Sequence, residues 1–252
     1  MHPTVWFAIT LCVTLLYATR IHALVGAHPK TTADWRVALS LSLGLVVGAL
    51  LSVRMRVAPG PHVGAGLNAI TLFLCLWMGL RYWIVSRRWF VGSGVVAFFL
   101  VGLYLNGTIS NNIILILVML GISVGGYYMT VGALGVLCVV FCAFDVYGVW
   151  LTNLISDLAG SDSFPTHFLT LKLSRLEIGA ADIALSALTV VGMYRHRGLV
   201  RAVGLACFCV GSALAINIFA DRGFQWAMEV PYMVILTPLV IGFLRVRASA
   251  CS

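Results

Sequence analysis

Acidic side chains are nearly missing from this chain. Asp and Glu together number 8 in 252 residues, and all charged residues make up 10% of the composition. A soluble domain carries about 25% charged residues and about 45–50% apolar ones. Here the apolar share is 61%. That balance excludes soluble enzyme folds and nucleic-acid-binding modules, and it leaves little mass for an aqueous domain. The formal net charge of +8 does not reverse the conclusion. The Lys and Arg residues lie in short segments between apolar runs, where they act as topology signals. No Cys/His spacing suits zinc, no HExxH occurs, and no clear serine-nucleophile motif is present. Six cysteines (Cys12, Cys75, Cys138, Cys142, Cys207, Cys209) sit in apolar runs and read as small hydrophobes, with Cys251 in the tail.

Long apolar runs are what the chain has in abundance. A helical span needs about 20 such residues to cross about 30 Å of hydrocarbon. By that rule nine spans are predicted, at roughly 4–21, 37–53, 65–85, 90–106, 112–128, 131–154, 175–194, 199–219 and 230–245. The run Val5 to Ala18 has no basic segment before it and is followed by Arg20, so it reads as a retained span rather than a signal peptide. "NGTISNN" joins the fourth and fifth spans as a Gly/Asn turn, and "GGYYMTVG" barely separates the fifth from the sixth. Eleven Lys and Arg residues fall on one side and five on the other. The positive-inside rule then places the C-terminus in the cytoplasm and the N-terminus outside. Arg81, beside Trp77, Tyr82 and Trp83, snorkels to the interface.

Two of the few acidic residues lie inside apolar runs: Asp145 in "VVFCAFDVYGVWLTN" and Asp182 in "RLEIGAADIAL". A carboxylate at the centre of a span costs about 2.5–3.5 kcal/mol on the insertion scale, so it faces the bundle interior and marks function. At a rise of about 1.5 Å per residue the two sit roughly 13 and 10 Å from the outer ends of consecutive, antiparallel spans. Carboxylates at matching depth can meet. Two in contact share one proton. The ionised member then takes a proton from water, which attacks a peptide carbonyl, and the protonated member polarises that carbonyl. The same pair also suits a proton or cation relay in a transporter or channel, and the carboxylates alone leave both chemistries open.

Flanking residues add a resemblance. "FDVYGVWLTN" (144–153) resembles the YD span of the presenilin and signal peptide peptidase family. Phe144 stands at the tyrosine position, and Tyr147, Trp150 and Thr152-Asn153 follow as in the signal peptide peptidase branch. "IGAADIALSAL" (178–188) is similar to the family's GxGD span, with Gly179 and Asp182 matching and Ala181 in place of the second glycine. "VPYMVILTPLVIG" (230–242) resembles the PAL span, with Pro231 at the proline and Tyr232-Met233 replacing Ala-Leu. "NNIILILVML" (111–120) is similar to that branch's fifth span.

The resemblance covers about the C-terminal 140 residues. It implies an all-α polytopic membrane protein, with scaffold helices over 1–128 and catalytic helices over 131–252. It implies an intramembrane aspartyl endopeptidase with Asp145 and Asp182 as the catalytic pair. Phe144, Tyr147, Gly179, Ala181, Pro231, Tyr232 and Met233 would line the active site. Substrates would be transmembrane peptides whose N-terminus is cytoplasmic. Neither cofactor nor metal is implied, and the partners are substrate and lipid bilayer, with no nucleic acid. The short loops point to a prokaryotic plasma membrane. A non-catalytic relative that binds membrane helices is the other reading.

Residue chemistry fits these positions. Gly179, three before Asp182, would lie one helical turn away and let a backbone approach closely. Pro231 would open the last span, where a missing N–H costs nothing. Cutting a transmembrane helix requires local unwinding, and the freed backbone groups need partners. "THFLTLKL" (166–173) is expected to offer a strand edge for them just before the Asp182 span.

Overall fold

The computed structural model describes residues 3–26, 32–40, 43, 61–81, 89–147, 171–172, 177–178, 180–224 and 232–245. The described residues are almost entirely helical. The long helices among the described residues are α1 (Pro3–Val25), α2 (Pro61–Arg81), α3 (Trp89–Leu105), α4 (Asn111–Tyr128), α5 (Val131–Val146), α6 (Ala180–Arg197), α7 (Leu199–Asp221) and α8 (Tyr232–Arg245). Residues 35–40 are helical as well. Two short strands, β1 (Leu171–Lys172) and β2 (Glu177–Ile178), pair antiparallel with Leu171 opposite Ile178.

Among the described residues, three stretches are long and apolar enough to cross a membrane: Thr4–Val25, Asn111–Tyr128 and Leu199–Asp221. Large apolar side chains also face outward. Phe98 and Phe99 on α3 are 70% and 65% exposed. In water such a surface would aggregate, whereas in lipid it is the ordinary outer face. The chain is therefore read as a membrane protein. Within the helices, hydroxyls satisfy themselves on the preceding turn, as Thr10 does on the Trp6 carbonyl (2.8 Å) and Thr189 on that of Leu185 (2.8 Å).

The short boundary at "GGYYMTVG" is a true break. Met129 and Thr130 are extended, and the Thr130 hydroxyl caps α5 by accepting from the Ala133 N–H at 3.2 Å. The break is also paired, because Ala33 donates to the Tyr128 carbonyl and accepts from the Thr130 N–H. "NGTISNN" forms the expected turn, with Gly107 at φ 72°. Between α6 and α7 the single residue Gly198 reverses the chain at φ 84°, a left-handed value that suits glycine.

One expectation fails. The span predicted from residue 175 begins as helix only at Ala180, because Glu177 and Ile178 belong to β2. Hydropathy registers apolar content and does not separate a strand leading into a helix from the helix itself.

Helix α4 lies at the centre and packs on α1, α2 and α6. Between helices in lipid there is no hydrophobic driving force, so close packing and hydrogen bonds hold the bundle. Glycine makes that packing possible. A Cβ on Gly121 would lie 1.9 Å from the Cys75 carbonyl oxygen of α2, and one on Gly126 would lie 2.0 Å from that of Leu188 on α6. These are backbone-to-backbone contacts on both sides of one helix.

One end of the bundle is tied by a polar network. The Tyr127 hydroxyl donates to the Gly26 carbonyl (2.7 Å) and meets His22 Nδ1 at 2.7 Å. Since the hydroxyl proton is committed to Gly26, Nδ1 must carry its own proton. Arg195 donates to the Tyr127 carbonyl at 2.6 Å, and His196 Nε2 donates to that of Met129 at 2.8 Å. Arg197 donates to the Leu244 carbonyl. The last turn of α6 thus satisfies carbonyls left over at the ends of α4 and α8.

His196 lies past the apolar stretch of α6. Burial pushes its imidazole below the ordinary 6.5, as do the neighbouring Arg195 and Arg197 charges, against the Met129 bond, which raises it. The unfolded chain then binds more protons than the folded one as pH drops through 6.5. Stability from this junction is present above that value and is lost below it. The unfolding temperature of the purified protein should therefore fall as the pH is lowered from about 7 to about 5. His196→Gln, which keeps a donor, should flatten the dependence; an unchanged slope would remove His196 as its source.

Candidate active site

Three helix ends lie opposite that network. The bonds of Arg195, His196 and Arg197 fix the C-terminal end of α6 beside the start of α5 and the end of α8. The start of α6, the end of α5 and the start of α8 therefore lie at the other end of the bundle. These three helices contact one another pairwise. Asp145 is the penultimate residue of α5, and Asp182 lies in the first turn of α6. Both carboxylates are partly exposed.

Their helical settings differ. Asp182 at a helix start lies in the favourable field of its own macrodipole. Asp145 at a helix end lies in an unfavourable one, and a neighbour compensates. The backbone N–H of Met233, in the first turn of α8, donates to Asp145 Oδ2 at 3.2 Å. A first-turn N–H has no acceptor within its own helix, so it is free to bind a carboxylate.

Helix α8 is fixed further along. The Thr237 hydroxyl donates to the Cys138 carbonyl of α5 at 3.1 Å, one turn past Met233. Pro238, inside the helix, leaves the Val234 carbonyl without its usual donor. The Met233 bond thus joins the PAL-like segment to the YD-like one, and the Thr237 bond ties α8 to α5 two turns before Asp145.

Tyr232 and Met233, the bulky pair in place of Ala-Leu, turn into the protein. The Tyr232 hydroxyl donates to the Cys209 carbonyl of α7 at 3.0 Å, and its ring packs edge-on against Phe7 of α1 with centroids 6.5 Å apart. Met233 is buried in the core. The added bulk fills space between helices rather than an open cleft. Tyr232→Phe should consequently cost about 1 kcal/mol, one hydrogen bond, and leave the position of any peptide cut unchanged. Mass spectrometry of the products checks this, and a shifted cut would return Tyr232 to the cleft.

Phe144 is partly buried, and Tyr147 is exposed in the turn that ends α5. Ala181 lies in the first turn of α6. Gly179 and Pro231 lie outside the described residues, as do Trp150, Thr152 and Asn153. The one-turn spacing expected between Gly179 and Asp182 therefore falls outside the described residues. The strand expected over 166–173 appears at 171–172, paired with 177–178 directly ahead of α6, and β1 packs on α1.

Two polar residues near the site were not foreseen. Thr237 carries the second bond between α8 and α5. Ser186 is fully buried, with its hydroxyl beside the Tyr232 hydroxyl and the Cys209 thiol. It lies four residues after Asp182, hence on the same face of α6 one turn deeper. That i, i+4 spacing was the available signal, but single hydroxyl residues in apolar helices are common and bond their own backbone.

No family model, curated protein or solved structure matches this chain.

Proposed function

We propose that this chain is an intramembrane aspartyl endopeptidase of the signal peptide peptidase type, with Asp145 and Asp182 as its catalytic pair. The observation that carries the reading is the hydrogen bond from the Met233 N–H to Asp145 Oδ2. It joins the PAL-like segment to the YD-like aspartate, while Asp182 opens a helix that contacts both. One carboxylate, ionised, takes a proton from water as that water attacks the scissile carbonyl carbon. The other, protonated, gives its proton to the carbonyl oxygen. Collapse of the tetrahedral species breaks the C–N bond and returns a proton to the leaving amine. Water is the only co-reactant.

The β1–β2 pair ahead of α6 supports a further part of the reading. A substrate helix unwound near the aspartates exposes backbone N–H and C=O groups, and a strand edge satisfies them. The resemblance extends the proposal to nine spans, a cytoplasmic C-terminus, a prokaryotic plasma membrane and substrates entering with a cytoplasmic N-terminus.

The test is incubation of the purified protein with a transmembrane peptide, with and without an aspartyl transition-state inhibitor. Inhibitor-sensitive cleavage is the expected result. Intact peptide at every pH tried, together with proton flux through reconstituted vesicles, would favour a transporter.

A further inference from the structure

Below the Thr237–Cys138 bond, α5 and α8 part to leave a groove of about 500 Å³. Its walls are aliphatic, chiefly Val136 and Val139 from α5 with Ile241 and Leu244 from α8. Two glycines deepen it. A Cβ on Gly135 would meet nothing within 4 Å, and one on Gly132 would meet only the Trp35 Cβ at 3.9 Å. Val139 is 51% exposed, so the groove opens sideways, toward the surroundings of the bundle. Among the described lining residues one is charged: Arg245, exposed in the last turn of α8. Its neighbours Arg195 and Arg197 are occupied by the carbonyls of Tyr127 and Leu244.

We propose that this groove holds one acyl chain of an anionic phospholipid, with the lipid phosphate on the Arg245 guanidinium. The order of chemistry along it, aliphatic furrow first and the Arg245 guanidinium at the mouth, is the order within such a lipid. Arginine pairs with phosphate through a planar fork of donors. The groove follows α5 from Val131 to Val140, about 13 Å at 1.5 Å per residue, beside the last turns of α8. The volume speaks against a transmembrane helix or a second copy of this chain as occupant. A helix is about 10–12 Å across, so the groove encloses about one turn of it. The proposal is independent of the proteolytic reading, since it needs only that the chain resides in lipid.

The experiment measures thermal unfolding of the delipidated protein in neutral detergent, with phosphatidylglycerol, phosphatidylcholine or inorganic phosphate added. Phosphatidylglycerol should raise the melting temperature, phosphatidylcholine should do so less, and phosphate alone should do nothing. Arg245→Gln should lower the preference for the anionic lipid about five-fold, the factor that one basic residue near a membrane surface contributes. Gly135→Leu places a side chain in the open groove and should abolish the lipid response while leaving the protein folded. If that variant does not fold, Val139→Trp fills the groove from a half-exposed position and decides the matter. A full phosphatidylglycerol response in the filled variant would overturn the proposal. So would an equal response to both lipids, or a response to phosphate alone. A filled groove that changes the oligomeric state would assign the site to a second copy instead.

Discussion

Asp145→Asn and Asp182→Asn should each lower peptide cleavage by roughly 10²–10⁴-fold, the range general acid–base catalysis supplies. Each substitution removes one of the two states the reaction needs, an ionised carboxylate or a protonated one, because an amide can be neither. Asparagine is nearly isosteric, and at Asp145 it still accepts the Met233 N–H through its carbonyl oxygen. The protein should therefore stay folded, with an unfolding temperature close to that of the unsubstituted chain. The double variant should be no slower than the slower single one, since groups that act as a unit are not additive. Turnover per folded molecule is the measurement. Either variant cleaving at the unsubstituted rate would remove that aspartate from catalysis.

Gly126→Ala, like Gly121→Ala, should be a severely damaging conservative change in the bundle. Its new Cβ would lie 2.0 Å from the Leu188 carbonyl oxygen, which is backbone and has no rotamer to escape into. Helices α4 and α6 must separate, at a cost of about 1–3 kcal/mol or more. The displacement reaches the site, because α6 carries Asp182 at its start and is fixed at its other end by Arg195 and His196. Cleavage per folded molecule should fall as well as stability. Gly125→Ala is the control. A Cβ there meets nothing within 4 Å, and alanine favours helix by about 1 kcal/mol. Equal melting temperatures for the two variants would contradict the packing described for α4.

Much of this was legible in the sequence. Apolar runs located the helices, since runs near 20 residues record the thickness of lipid rather than any partner. Asp145 and Asp182 stood out because charge is rare in such runs. The bond from Met233 to Asp145 was not legible, because it uses a backbone N–H that every residue but proline carries. Nor was the strand at Glu177–Ile178, which hides inside an apolar run. Gly121 and Gly126 are two of 25 glycines, and only the neighbouring backbone distinguishes them from Gly125. The fate of Tyr232 depended on α1 and α7, distant in sequence, supplying Phe7 and Cys209.

The central claim is that Asp145 and Asp182 form one site with the start of α8. Photolabelling with an aspartyl transition-state analogue tests it most directly, because it requires no knowledge of the substrate. The account predicts one label per molecule, recovered on peptides from the end of α5, the start of α6 or the start of α8, and lost in both Asp145→Asn and Asp182→Asn. Labelling that persists in either variant, or that maps to α2 or α3, would contradict it.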